Sequence, residues 1–169
     1  LFTRYGEAVE SYIRSDDHLY GLASQLQPLF DFVDMYPSCP LEVSVNSLWN
    51  LVHKVGSFPV AFTKDLMLNA ARAIFSDCDF MVDENHAYSQ TGCLAQGSRS
   101  SWILATACVW QWEKVLLEKA HRPPRFWKRY TDDVCFLWED TSEALEKFFL
   151  YANLPCRPGA IETLKVTLD

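Results

Sequence analysis

The amino-acid sequence predicts an α+β fold, in which an antiparallel sheet carries helices packed on one of its faces. Short apolar and aromatic runs bounded by turn residues indicate strands, and apolar residues recurring every three or four positions indicate helices. Their predicted order is strand, two helices, hairpin, helix, hairpin, helix and strand, which mixes hairpins with helices instead of repeating a βαβ unit. The chain has 169 residues, of which 49% are hydrophobic and 14% aromatic, enough for one compact domain with a sizeable core.

The first thirty residues predict a mixed segment that ends in a helix, and the next run predicts a strand. Leucines recur at three- and four-residue steps and would form one apolar stripe; they are Leu19, Leu22, Leu26 and Leu29. The following run, LFDFVDMY, is short, apolar and closed by Pro37 and Pro40. It indicates a buried strand and its exit turn.

Two helices and a hairpin are predicted next. Ser38 or Pro40 would begin a helix that Gly56 ends, and Thr63 would cap a second helix. The apolar faces of these helices are Leu41, Val45, Leu48 and Val52, then Leu66, Ala70 and Ile74. The run FMVDENHAYSQ predicts a hairpin that turns at 83–85.

The second half of the chain predicts a long helix, a second hairpin, a short helix and a final strand. The long helix runs from about Ser100 to Lys119. After Pro123 and Pro124, two apolar-aromatic runs flank Thr131, Asp132 and Asp133, which indicates a hairpin with acids at its turn. Asp140 or Thr141 would cap the last helix, and the run IETLKVTLD predicts a strand.

Charge and hydropathy limit the partners of the chain. With 15 Lys and Arg against 22 Asp and Glu, its net charge is −7, which alone disfavours a nucleic-acid partner if the chain is the whole protein. Its start at Leu1 leads us to expect that the natural N-terminus is missing. The longest apolar run, 102–112, is shorter than the roughly 20 residues that span a bilayer, so no membrane association is expected.

Six cysteines are scattered along the chain without CxxC or zinc-like spacing. Several lie among apolar residues, as Cys108 and Cys135 do. We expect reduced core cysteines and an intracellular protein.

Three aspartates are the candidates for chemistry. Asp31 lies in an apolar strand, while Asp132 and Asp133 lie at a hairpin turn about a hundred residues later. They are compatible with an ordinary strand end and turn, because Asp is a common turn residue. The alternative is a metal site, which requires that the two strands are neighbours, since carboxylate oxygens are the ligands that Mg²⁺ prefers. Two such ions would serve nucleotidyl transfer.

Three ordered motifs around these acids resemble the palm of reverse transcriptases. Y130-T-D-D133 resembles the catalytic YxDD signature, and D31-F-V-D-M-Y36 resembles the first palm motif. Between them, Q96-G-S-R-S-S-W-I-L-A105 resembles the motif usually written [QM]GSPLSPILAN. The approaches F80-x7-Y88-x-Q90-x-x-G92 and F126-W-K-R-Y-T-D-D133, with the stretch YIRSDDHL, are most similar to Penelope-like retroelement reverse transcriptases.

The resemblance implies a role for each matching residue. Asp31, Asp132 and Asp133 would be the catalytic metal ligands for two Mg²⁺ ions, or Mn²⁺ in their place. The incoming nucleotide would lie against the Phe32 backbone, Asp34, Tyr36 as a steric gate to ribose, Gln96 and Gly97. Tyr130 and Thr131 would border the primer terminus, and Lys165 is a weaker candidate for charge near the pyrophosphate.

The resemblance also implies what surrounds the palm. Residues 1–169 would form the palm, with 1–28 a partial fingers-to-palm segment. Most of the fingers would precede it and a thumb would follow, with an endonuclease domain as a further attached part. Partners would be an RNA template, a DNA primer and deoxynucleoside triphosphates, in a nuclear location. The missing parts would supply positive charge for phosphate contacts.

The second motif departs from the family pattern. Arg99, Ser100 and Trp102 replace Pro, Leu and Pro, and Thr106 replaces Asn. The Trp102 ring is expected to fall where the helix packs under the nucleotide pocket. Two alternatives therefore stay open beside a working polymerase: a catalytically degenerate domain that binds nucleic acid or a protein, and a telomerase-like or intron-encoded enzyme. Lys128 and Arg129 are read as solvated charges or template contacts.

Overall fold

The structure is a computed structural model, and it describes residues 26–56, 61–76, 78–155 and 161–168. Within those ranges the strands are β1 (Leu26–Val33), β2 (Asp79–Asp83), β3 (His86–Ser89), β4 (Phe126–Tyr130), β5 (Asp133–Leu137) and β6 (Lys165–Leu168). The helices are α1 (Leu41–Val55), α2 (Lys64–Phe75), α3 (Arg99–Lys119) and α4 (Ser142–Ala152). The predicted α+β class is confirmed.

The main sheet has four strands in the order β4-β5-β1-β6, and every neighbouring pair is antiparallel. The first strand of the described chain therefore lies in the middle, between the late hairpin and the final strand. β2 and β3 form a separate two-stranded ribbon. Both predicted hairpins and the predicted final strand are confirmed.

The two faces of the main sheet differ in burial. On one face, which we call the covered face, Phe30, Phe32 and Val134 are buried. The Phe32 ring meets Trp112 of α3 at 5.2 Å, and the Phe30 ring lies 6.1 Å from Phe148 of α4. α3 and α4 thus pack on this face, in agreement with the antiparallel sheet and one-sided helices that the order of the elements predicts.

The opposite face, which we call the open face, carries polar residues. Asp31 and Asp133 are half-buried there, and Lys165 is exposed. On the same face, Phe126 and Leu137 are buried. They lie at the end of the β4–β5 hairpin that is farther from its turn. Asp31 and Asp133 therefore lie on the face of the sheet away from α3 and α4.

Helix ends follow the capping residues in the sequence. The Thr63 side chain accepts a hydrogen bond from the Leu66 N–H at 3.2 Å, and Thr141 accepts one from the Ala144 N–H at 3.2 Å. α1 begins after Pro40 and ends before Gly56. Each of these boundaries was predicted.

The first predicted helix is wrong over its last residues. Leu26 and Leu29 lie in β1, whereas Leu19 and Leu22 lie outside the described residues. Leucines at three- and four-residue steps also suit part of a strand, and hydrogen bonding of β1 to β5 and β6 decides between the two. The strand ends at Val33, where Asp34 turns the chain with a φ of 46°, in agreement with the predicted exit turn.

Five cysteines fall within the described residues, and none of these five forms a disulfide there. A hydrogen bond with Cys108, together with burial, raises the pKa of the Cys39 thiol, which keeps it protonated. None of the helices in the described part of the chain is long and apolar enough to cross a membrane.

Candidate functional site

Asp31 and Asp133 are direct cross-strand partners. The register of β1 and β5 pairs these two residues, so their side chains project from the same face of the sheet. The row continues to Tyr130 on β4 and to Thr167 on β6. The two acidic segments therefore lie side by side, which is the arrangement that a shared metal site would require.

Asp132 lies one residue away, on the turn of the β4–β5 hairpin. Tyr130 pairs with Asp133, which leaves Thr131 and Asp132 as the two turn residues. The Phe32 N–H of β1 donates a hydrogen bond of 3.3 Å to the Asp132 carbonyl. The turn is thereby attached to the strand that carries Asp31.

The acids offer suitable donors for a divalent cation without forming a closed cage. Within the described ranges, no three His, Cys, Asp or Glu side chains stand close enough to hold a metal ion together. Asp31 and Asp133 are half-buried on the open face, and Asp132 is exposed. This donor set fits Mg²⁺ or Mn²⁺, which keep several waters and take few protein carboxylates.

The turn itself has an unusual backbone. Thr131 has a φ of 58°, in the left-handed region that β-branched residues rarely adopt. Such a conformation costs on the order of 1–3 kcal/mol and persists where surrounding contacts fix it. Strain of this kind is frequent at functional sites.

The first motif continues from β1 into a tight turn. The Asp34 carbonyl accepts a hydrogen bond from the Ser38 N–H at 2.9 Å, and the Ser38 hydroxyl donates to the Val33 carbonyl at 3.1 Å. Asp34 is exposed, and Tyr36 is half-buried at the edge of the core. The Phe32 ring is buried. The Phe32 backbone N–H donates its hydrogen bond to the Asp132 carbonyl.

The segment before the second motif is attached to the end of this turn. Pro40 and Cys93 form an isolated β-bridge, and the Leu41 N–H donates to the Gly92 carbonyl at 2.9 Å. The Gln96–Gly97 turn then leads into α3, exposed to solvent. Gly97 has a φ of 91°, which only glycine adopts without strain.

The substituted positions of the second motif leave the core intact. Trp102 is 54% exposed, so its ring lies at the surface of the protein. The neighbouring Ser101 is fully buried instead. Arg99 and Ser100 lie at an apolar groove of about 370 Å³ that α1 and α2 also line.

Lys165 lies on the open face, close to the row of acids along the backbone. It pairs with Val33, while Thr167, two residues later, pairs with Asp31. Lys165 is therefore a diagonal neighbour of Asp31, within reach of a long side chain.

The interpretation of Arg129 as a solvated charge is wrong, because this side chain is largely buried. It is 10% exposed, and its Nε lies 2.9 Å from Glu113 Oε1. The signal that could have identified it is the alternation of β4, which places Arg129 on the same face as Trp127. Lys128, between them, is exposed on the open face.

Comparison of the chain with protein-family models, curated proteins and solved structures found no match.

Proposed function

We propose that this chain is the palm of an RNA-directed DNA polymerase, most similar to the reverse transcriptases of Penelope-like retroelements. The reaction would be attack of a primer 3′-OH on the α-phosphate of a deoxynucleoside triphosphate, directed by an RNA template. Pyrophosphate would be the leaving group.

The observation that carries the proposal is the register of β1 and β5. It pairs Asp31 with Asp133 and places Asp132 on the adjoining turn, although about a hundred residues separate the two segments. Chance turn aspartates would have no reason to meet an aspartate in the middle strand of the sheet. A functional requirement for clustered acids explains why two acidic residues lie opposite one another in the sheet.

In this proposal Asp31 and Asp132 are the main ligands of Mg²⁺, and Asp133 completes the acidic cluster. Bound Mg²⁺ would stabilise the negative charge of the reacting phosphate oxygens and orient the primer hydroxyl. The protein's part is to hold its carboxylates and substrates in place, since no side-chain nucleophile is needed.

The nucleotide would lie between the first-motif turn and the Gln96–Gly97 turn. Asp34 and Tyr36 border that space on one side, and Tyr36 would exclude a ribose 2′-OH. A Cβ placed at Gly97 would have no neighbouring atom within 4 Å, so a substrate could approach the backbone there. Tyr130, which is 48% exposed beside Asp133, and Thr131 would border the primer end.

The charge of the chain is compatible with this role if other parts of the protein bind the nucleic-acid backbone. The net charge of −7 includes the acids proposed to bind cations. Fingers and thumb elements in the same protein would then supply the cationic phosphate contacts.

Primer extension on an RNA template tests the proposal. The full-length protein, with Mg²⁺ or Mn²⁺, should extend a DNA primer, and Asp132→Asn should abolish at least about 99% of that activity by removing a cation ligand. Glu146→Gln, an exposed acid on α4, is the matched control and should retain wild-type extension.

Extension that survives Asp132→Asn would contradict the proposal. A folded wild-type protein that binds primer–template but does not extend it would also contradict it, and would favour a degenerate nucleic-acid-binding domain. Because Asp132 is exposed, Asp132→Asn should fold like the wild type. Its melting temperature checks this.

A further inference from the structure

Arg129 connects the acidic turn to the interior of the protein. Its Nη1 donates a hydrogen bond of 2.7 Å to the Thr131 carbonyl, and its Nη2 donates one of 3.3 Å to the Thr106 carbonyl of α3. One planar guanidinium thus binds the turn and the long helix at the same time.

The guanidinium is itself held by a buried partner. Glu113 of α3, like Arg129, is 10% exposed along its side chain, and the two charges lie 2.9 Å apart. Glu113 Oε1 also accepts a hydrogen bond of 2.8 Å from Trp127 Nε1. These contacts fix the orientation of Arg129 before any substrate is present.

Stability alone explains this arrangement poorly. Burying two charges costs several kcal/mol per ion, and apolar residues of similar volume often serve stability as well or better. This buried ion pair also binds the carbonyl of a strained turn residue. It can therefore hold that turn in its conformation, because backbone strain persists only where surrounding contacts enforce it. Thr131, at a φ of 58°, is that residue.

We propose that Arg129 is a positioning residue, which holds the Thr131 peptide and thereby fixes Asp132 and Asp133 for cation binding. The catalytic part of this inference rests on the proposed function, whereas the effect on the turn does not. Arg129 acts through the backbone and touches neither substrate nor reacting atoms.

Arg129→Lys in the full-length protein tests the proposal. It keeps a positive charge for Glu113 but lacks the fork that binds two carbonyls. Arg125→Lys is the matched control, because Arg125 lies just before the same hairpin's β4 and pairs with Glu139 at 2.7 Å, away from the turn. Three quantities are measured for both variants. They are the hydrogen–deuterium exchange of residues 130–134, the melting temperature and the Mg²⁺ dependence of primer extension.

For Arg129→Lys we expect amide exchange in 130–134 to rise at least about tenfold, as befits the loss of a charge-assisted hydrogen bond. The Mg²⁺ concentration for half-maximal extension should also rise at least about tenfold, with a lower maximal rate. Arg125→Lys should change neither quantity.

A lowered melting temperature with unchanged turn exchange and unchanged Mg²⁺ dependence would overturn the proposal and leave Arg129 a purely structural residue. If Arg129→Lys does not fold, the double variant Arg129→Gln with Glu113→Gln takes its place, because it leaves no buried charge unpaired. If the wild type does not extend primers, the polymerase proposal fails by itself. Exchange in 130–134 then decides the positioning proposal in the same way.

Discussion

The surroundings of Asp31 are determined by its neighbours on two adjacent strands. Asp31 lies in the middle strand, between Asp133 on one side and Thr167 on the other. The Thr167 hydroxyl donates a hydrogen bond of 3.4 Å to the Asp31 carbonyl. Two opposed carboxylates repel each other, so a bound divalent cation would stabilise this pair.

A second residue-scale feature is a buried hydroxyl on α3. Thr106 Oγ1 is buried and has no hydrogen-bond partner among the described residues, although the Thr106 carbonyl binds Arg129. A buried polar atom without a partner costs roughly 1–3 kcal/mol.

Thr106→Val should therefore stabilise the protein by about 1 kcal/mol, because it replaces the hydroxyl by a methyl group of similar shape. Thr141→Val makes the same chemical change at a helix cap and should destabilise it by about 1 kcal/mol. Equilibrium unfolding in urea measures both. Equal signs for the two variants would contradict the assignment of an unsatisfied hydroxyl at Thr106.

At the scale of elements, the β4–β5 hairpin is held by arginines along its length. Arg129 binds the turn, and Arg125 and Arg122 pair with Glu139 and Asp140 beyond the other end. Asp140 also accepts a hydrogen bond from the Thr141 N–H at 2.7 Å, just where α4 begins. The hydrogen bond from Arg122, and then that from Thr141, hold the pKa of Asp140 below its ordinary value of 3.8.

This contact predicts a pH dependence of stability. Because the folded-state pKa of Asp140 is lowered, its stabilising contribution is present above pH 3.8 and is lost as the pH falls through the lower folded-state value. Asp140→Asn should thus lower the melting temperature at neutral pH, and its difference from wild type should shrink in acid. Thermal unfolding across that range measures it, and a difference that stays constant would contradict the prediction.

The elements that could be predicted from sequence are those whose signals are local. Thr63 and Thr141 cap helices through their own side chains, and the two hairpins are bounded by turn residues. β1 was partly misread because its leucines suit a helix and a strand alike, and its pairing depends on β5 and β6, far along the chain.

The candidate site divides in the same way. The three aspartates could be chosen from sequence because carboxylates are unusual in apolar runs and form a motif at the turn. The role of Arg129 could not, because its contacts with Glu113 and Thr106 join two elements whose packing no local pattern specifies.

At the scale of the whole molecule, the sheet order explains how distant motifs meet. Placing β1 between β5 and β6 brings Asp31 beside the acidic turn on one side and near Lys165 on the other. The bridge between Pro40 and Cys93 brings the second motif to the end of the first. The helices α3 and α4 cover the opposite face, so the paired aspartates lie on the face that these helices leave open.

The most direct test of the account is the rate of primer extension by Asp31→Asn, Asp132→Asn and the double variant, each compared with wild type on an RNA template. If the acids of β1 and of the turn act as one cation site, each single variant should lose at least about 10²-fold in rate, and the double variant should lose little more. Losses that multiply, or an Asp31→Asn variant that extends at the wild-type rate, would contradict a shared site.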